Sequence, residues 1–202
     1  IQTSVEVIYG DYGIERLTLP PDMVELNGKA LERVKKEAEL TNKLWAGSYR
    51  EPLWSGPFIM PVEGHITGYF GTRRILNGNS RSPHSGVDIA APKGTPVKAA
   101  NKGRVVFVGD LFFNGRFVVI DHGLGVFTAY SHLSAVHIES GQLVEKGAVV
   151  GEVGATGRTT GPHLHFSVKV GGTRVSPTRL FEVTERLMHL LPKEPSKGST
   201  SG

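Results

Sequence analysis

The sequence predicts a mainly β protein, built on an antiparallel sheet and preceded by an accessory strand pair and one long helix. Three observations carry that prediction. Short apolar runs alternate with glycine and proline turns from Val62 to about Phe181. No helical pattern of the length a doubly wound α/β fold requires lies between them. Glycine accounts for 26 of 202 residues, nearly twice the usual share of about 7%, which suits tight turns better than a helical bundle.

The first segment, residues 1–21, alternates at Val5, Val7 and Tyr9, turns at Gly10–Gly13, and resumes at Leu17 and Leu19 before Pro20–Pro21 ends it. Two strands are marginal alone, so they read as the remnant of an accessory domain or as extra strands on the main sheet. Residues 22–56 form a helix and a linker. Leu31, Val34, Ala38, Thr41 and Trp45 recur at three- and four-residue steps, one stripe of a helix over about 26–45. Gly47 stops it, and Pro52, Pro57 and Pro61, with Trp54 and Phe58 between, describe an extended segment pinned by aromatics. Six strand candidates follow, near 65–70, 95–110, 115–123, 126–134, 149–157 and 163–170. Residues 183–202 are a short helix, beginning at about 182, and a tail without apolar content that is expected to be disordered.

Composition removes several functions. Without cysteine there is no disulfide scaffold, thiol nucleophile, zinc–cysteine finger or thiolate-held cluster. A formal charge of +4 with no Lys/Arg block is a poor footprint for nucleic acid and suits an acidic polymer as well. No run of about 18 apolar residues could span a membrane. No signal peptide is visible at Ile1, as in a mature chain. There is no G-x-S-x-G elbow, Walker A run or H-E-x-x-H.

The chemistry then falls to histidine and aspartate. His65, His137 and His189 stand alone and read as ordinary residues, and His122 as a structural one. In SPHSGVDIAAP, His84 and Asp88 are four apart with Gly86 between. On a strand they would lie about 13 Å apart, so a turn at the glycine is expected to aim both at one centre. In GPHLHFSV, His163 and His165 alternate with Leu164 and Phe166, which puts both imidazoles on one face. His132 closes TAYSHLS, where Thr128, Tyr130 and His132 are expected to share a polar face looking into a groove. Histidines and an aspartate make an N/O donor set with an open position, which suits catalytic zinc, and leave further histidines for proton transfer and oxyanion stabilisation.

Three runs together resemble the lysostaphin/LytM-type zinc metallopeptidases of the M23 family: FGTRRILNGNSRSPHSGVDIAAPKGTPVKAANKGRVVFVG, GRFVVIDHGLGVFTAYSHLS and GQLVEKGAVVGEVGATGRTTGPHLHF. The resemblance implies a catalytic domain over 57–182, a compact antiparallel sheet whose loops wall a long groove. It implies one Zn2+ per chain on His84, Asp88 and His165, with His132 and His163 as catalytic residues that share proton transfer and stabilisation of the tetrahedral anion, without a covalent intermediate. Tyr130, Arg73 and Arg74 are expected in the groove wall, the arginines suited to carboxylates such as that of diaminopimelate. Asn77 or Asn79 could serve as an inhibitory ligand, as upstream asparagines do in latent members. The substrate implied is the peptide cross-link of bacterial peptidoglycan, at the D-alanyl–diaminopimelate bond suggested by the R-R-x-x-N-G-x-x-R-S-P-H form. The partners are therefore peptidoglycan stem peptides, and the expected protein is an exported periplasmic or cell-envelope monomer whose signal or anchor lies outside this chain. The alternatives are a catalytically silent LytM-like activator of another wall hydrolase, a glycan-binding module with incidental histidines, and the same scaffold acting on an elastin-like peptide.

Overall fold

The computed structural model describes residues 10–190. In order these form β1 (Ile14–Leu17), α1 (Pro21–Val24), α2 (Gly28–Leu44), β2 (His65–Gly68), β3 (Arg73–Leu76), β4 (Asn79–Ser80), β5 (Val87–Ala90), β6 (Pro96–Lys98) and β7 (Gly103–Leu111). Then come β8 (Gly115–Asp121), β9 (Val126–Leu133), β10 (Ala135–Val136), β11 (Leu143–Val144), β12 (Val149–Glu152), β13 (His163–Val170), β14 (Thr173–Val175) and α3 (Pro177–Leu190). The strand expected over residues 5–9 and the tail from 191 lie outside the described residues.

An eight-stranded sheet runs β11-β7-β8-β9-β13-β5-β2, with β14 paired to β13, and all its pairings are antiparallel. One face carries Val87, Ile89, Val118, Ile120, Tyr130, Leu164, Phe166 and Val168 into the main core. The small sheet β10-β12-β6, the aromatics Trp54 and Phe58 of the linker, and α3 through Phe181 close over that face. α3 begins at Pro177, five residues before the expected start, and lays Phe181 parallel to Phe166 with ring centroids 6.0 Å apart.

The opposite face is only partly covered. α2, found close to its expected span, sets Leu44 and Trp45 against Phe117, Val119 and Phe127. Glu37 of α2 accepts from the Phe112 backbone amide at 2.8 Å and pairs with Arg33 at 2.6 Å, tying the helix to the β7–β8 turn. The helix therefore walls one side of an open strip along β13. β1 adds a second wall: it runs parallel to β3, Glu15 opposite Arg74, in a small sheet β1-β3-β4.

One irregularity decides where the functional residues point. Val118 on β8 faces Tyr130 on β9, but Arg116 faces Leu133. Two residues on β8 thus meet three on β9, a β-bulge. His132 takes the extra place with φ of 65°. The bulge breaks the alternation, so Tyr130 and Leu133 both enter the core while His132 turns to the open face. The expected shared face of Thr128, Tyr130 and His132 is therefore corrected: Thr128 and Tyr130 face inward.

Candidate metal centre

Three strands and one loop bring the centre together. Asp88 sits mid-β5, between the core residues Val87 and Ile89, so alternation puts its carboxylate on the open face. Its cross-strand partner on β13 is His165. His84 precedes β5, and its backbone is fixed by mutual bonds with Thr72 and Gly71. The chain bends at Gly86 as expected, without a left-handed backbone. A Cβ there would lie 2.2 Å from the Phe166 carbonyl oxygen, so the glycine permits close backbone approach to β13. That approach swings His84 over Asp88.

The donor atoms converge. Asp88 Oδ1 lies 3.0 Å from His84 Nε2 and 2.7 Å from His165 Nδ1, and the two nitrogens are 3.0 Å apart. Among the described residues this is the one trio of such groups placed to hold a metal ion. Ligand atoms at zinc distances around a tetrahedral centre stand about 3.3 Å apart, so the trio is that face drawn in by a few tenths of an ångström. His84 Nδ1 donates to the Tyr69 carbonyl at 2.9 Å, which leaves the Nε2 lone pair facing a carboxylate oxygen. A cation resolves that opposition. Burial would raise the Asp88 pKa, but the His165 and His84 rings packed against it hold the carboxyl far below the usual range. Burial lowers the His165 pKa, partly offset by Asp88. All three residues are buried.

His132 and His163 complete the site, their ring centroids 4.8 Å apart. His132 Nδ1 donates to the Thr156 carbonyl at 2.8 Å, and His163 Nδ1 to the Gly161 carbonyl at 2.9 Å. Nε2 is thus the ring nitrogen left for the site in each, and that of His163 stands 3.7 Å from Asp88 Oδ1. Burial first, then the neighbouring His163 and His165, lowers the His132 pKa to about 3. The His132 ring is thereby held as a neutral proton acceptor.

A cavity of about 280 Å³ opens beside Asp88, His132 and His163, walled by Glu15, Leu17 and Leu19 from the upstream segment and by Arg158. Several sequence expectations are revised here. Tyr130 does not line the groove: it is wholly buried, and its hydroxyl accepts from the Ala100 amide at 2.9 Å and bonds Thr128 at 3.0 Å. Arg74 does face the cavity, yet it grips Asp88 Oδ2 at 2.5 Å while its Nε bonds Glu15 at 2.7 Å. Arg73, next along β3, points to the other face and is exposed. The Asn77 amide is spent on both backbone groups of Leu19, at 2.9 Å each, and Asn79 is exposed with its Nδ2 directed at the Asn77 carbonyl.

Other functional positions escaped the sequence. Gly68 lies opposite Asp88 on β2, where a Cβ would come within 2.7 Å of Asp88 Oδ2. The Arg158 guanidinium carbon sits over the Phe113 ring, 4.0 Å from its centre. Glu15 joins the site only because β1 pairs with β3. Nothing in local spacing announces such contacts. His122, as expected, is structural: fully buried, it bonds the Lys102 carbonyl and Thr128 at 2.8 Å each.

Residues 82–177 match Peptidase family M23. The chain is 45% identical over 126 residues to the DD-carboxypeptidase/endopeptidase Mpg of Neisseria meningitidis serogroup B, covering 62% of this chain and 29% of that protein. It is 42% identical over 119 residues to the peptidoglycan DD-endopeptidase ShyA of Vibrio cholerae, covering 57% and 28%. The chain therefore spans less than a third of the curated relatives it matches. A crystal structure of a mutant catalytic domain of the prophage-encoded M23 protein EnpA from Enterococcus faecalis superposes with a TM-score of 0.50 at 32% identity, over 65% of this chain and 97% of that one. No helix among the described residues is long and apolar enough to cross a membrane.

Proposed function

Because the chain belongs to peptidase family M23, we propose that it is a zinc-dependent endopeptidase that hydrolyses the peptide cross-links of bacterial peptidoglycan in the cell envelope, at the D-alanyl–diaminopimelate bond. The observation that carries this is the convergence of five polar side chains from three separate runs, His84, Asp88, His132, His163 and His165, on one open strip of the sheet. The names of the relatives from Neisseria and Vibrio support the same class of bond.

His84, Asp88 and His165 hold the metal in this proposal. Zinc there supplies Lewis acidity, polarising a carbonyl and lowering the pKa of water to about 7. His132 and His163 act on protons. With Nδ1 of each tied to a carbonyl, Nε2 is the atom that takes a proton from water and later returns it to the leaving amine. Once protonated, either ring also stabilises negative charge on the attacked carbonyl. Arg74 holds the spare oxygen of Asp88, so the carboxylate offers Oδ1 alone to the centre. The cavity beside His163 receives one arm of the cross-linked peptide.

Digestion of purified cross-linked muropeptides, with the cut bond assigned by mass, tests this. Cleavage between D-alanine and diaminopimelate, abolished by a chelator and by His165→Ala, is the expected result. Cleavage that survives both would sink the zinc-hydrolase function, and a silent activator would cut nothing while accelerating a second hydrolase.

A further inference from the structure

Beside the metal trio lies a second, smaller cavity of about 70 Å³, lined by Trp45 at the C-terminal end of α2, Ser85, Asn114, and His165, Ser167 and Lys169 of β13, with Arg174 of β14. His163 lines the first cavity and His165, Ser167 and Lys169 the second. The two follow one another along β13, and the trio stands at their junction. No acidic residue lines the second cavity.

Its charges are unusual for a sheet. Lys169 and Arg174 are direct cross-strand partners in the β13–β14 hairpin, where like charges destabilise the pairing. Among the described residues neither has a carboxylate within salt-bridge distance. The Lys169 ammonium instead sits 4.8 Å from the centre of the Trp45 ring, over its face. Burial and then the Arg174 charge lower the Lys169 pKa. Two cations forced together at the mouth of a cavity, with hydroxyl and amide groups around it, describe a cradle for an anion. Arg74, the first candidate for that task, is already committed to Asp88 and Glu15.

Given the hydrolase function proposed above, on which this inference rests, we propose that Lys169 and Arg174 form a carboxylate-binding subsite that selects cross-links bearing a free carboxylate near the cut bond. Lys169 lies four residue steps along the strand from His165, about 13 Å. An extended peptide spans that in about four residues, so the carboxylate belongs to the stem within that reach. A bridge made only of glycine offers no carboxylate there and is discriminated against.

The test uses two cross-linked muropeptides that differ only in whether the stem carboxylate is free or amidated. The zinc-loaded chain is expected to favour the free form at least about tenfold in kcat/KM, mostly through KM. In a Lys169→Gln/Arg174→Gln double variant that ratio falls towards one. Lys169→Met, which keeps the packing on Trp45, gives an intermediate ratio and guards against a folding defect in the double variant. Equal rates on both substrates in the wild type, or an unchanged ratio in the variants, overturn the subsite. Calorimetry with the uncleaved free and amidated stem peptides reads the subsite separately from cleavage. Preferential binding of the free acid, lost in the variants, sustains it even if neither muropeptide is cut, an outcome that would remove the hydrolase function instead. Equal binding of acid and amide overturns it.

Discussion

Replacing Arg74 should loosen the metal centre without touching a ligand. Asp88 presents Oδ1 to His84 and His165 while Arg74 holds Oδ2 at 2.5 Å, and Glu15 holds Arg74 at 2.7 Å. Two effects compete in Arg74→Met. The charged bond that orients the carboxylate is lost, about 1.5–3 kcal/mol where it is largely buried. Against that, removing a positive charge should favour a dication. Glu15 already neutralises most of the guanidinium charge at contact distance, so orientation wins. At about 1.4 kcal/mol per tenfold, zinc affinity should fall about 10- to 100-fold, the range known for partners of metal ligands. Competition against a chromophoric chelator measures it. Glu15→Gln should give a smaller loss, because it frees the arginine without removing it. Arg74→Lys should recover only part, since an ammonium cannot bridge both carboxylates as the planar fork does. Unchanged or tighter zinc binding in Arg74→Met would refute the orienting role.

Other outcomes follow from the bulge and from the buried imidazole of the core. His132→Ala and His132→Gly should each lower turnover by about 10²- to 10⁴-fold, but the glycine variant should melt higher, by about 1 kcal/mol in stability, because φ of 65° suits glycine. Equal melting would mean that the left-handed backbone is not retained. His122 is neutral inside the fold with its pKa lowered to about 4 from 6.5, chiefly by burial. The unfolded chain therefore binds the proton first, and stability is lost as pH falls from about 6.5 to 4, by about 3 kcal/mol. Denaturant unfolding across that range should show the slope, and His122→Gln should remove its share, leaving that of His132, whose pKa burial also lowers.

β13 was the most readable part of the sequence. Strict alternation in HLHFSV puts Leu164 and Phe166 in the core and His163 and His165 on the open face, because β13 is paired on both sides and has no irregularity there. β9 misled for the converse reason. It is buried along its whole length, so polarity does not mark its faces, and the bulge at His132 reverses the order after Tyr130. A bulge depends on the partner strand, which β9's own residues do not describe. The same holds for Gly86, whose role is set by the Phe166 carbonyl 80 residues away. Arg74 looked like a hand for substrate because its partners, Glu15 and Asp88, meet only through tertiary pairing. Asn77 was open to a ligand role until the Leu19 backbone claimed both ends of its amide.

Zinc titration of the chelator-stripped chain tests the central claim most directly, with cleavage of a cross-linked muropeptide dimer followed at each addition. Activity should rise in proportion to added zinc and stop rising at one ion per chain, and His84→Ala, Asp88→Ala and His165→Ala should each remain inactive at that ratio. Full cleavage by the stripped wild-type chain, or by any of these three variants at one zinc per chain, would contradict it.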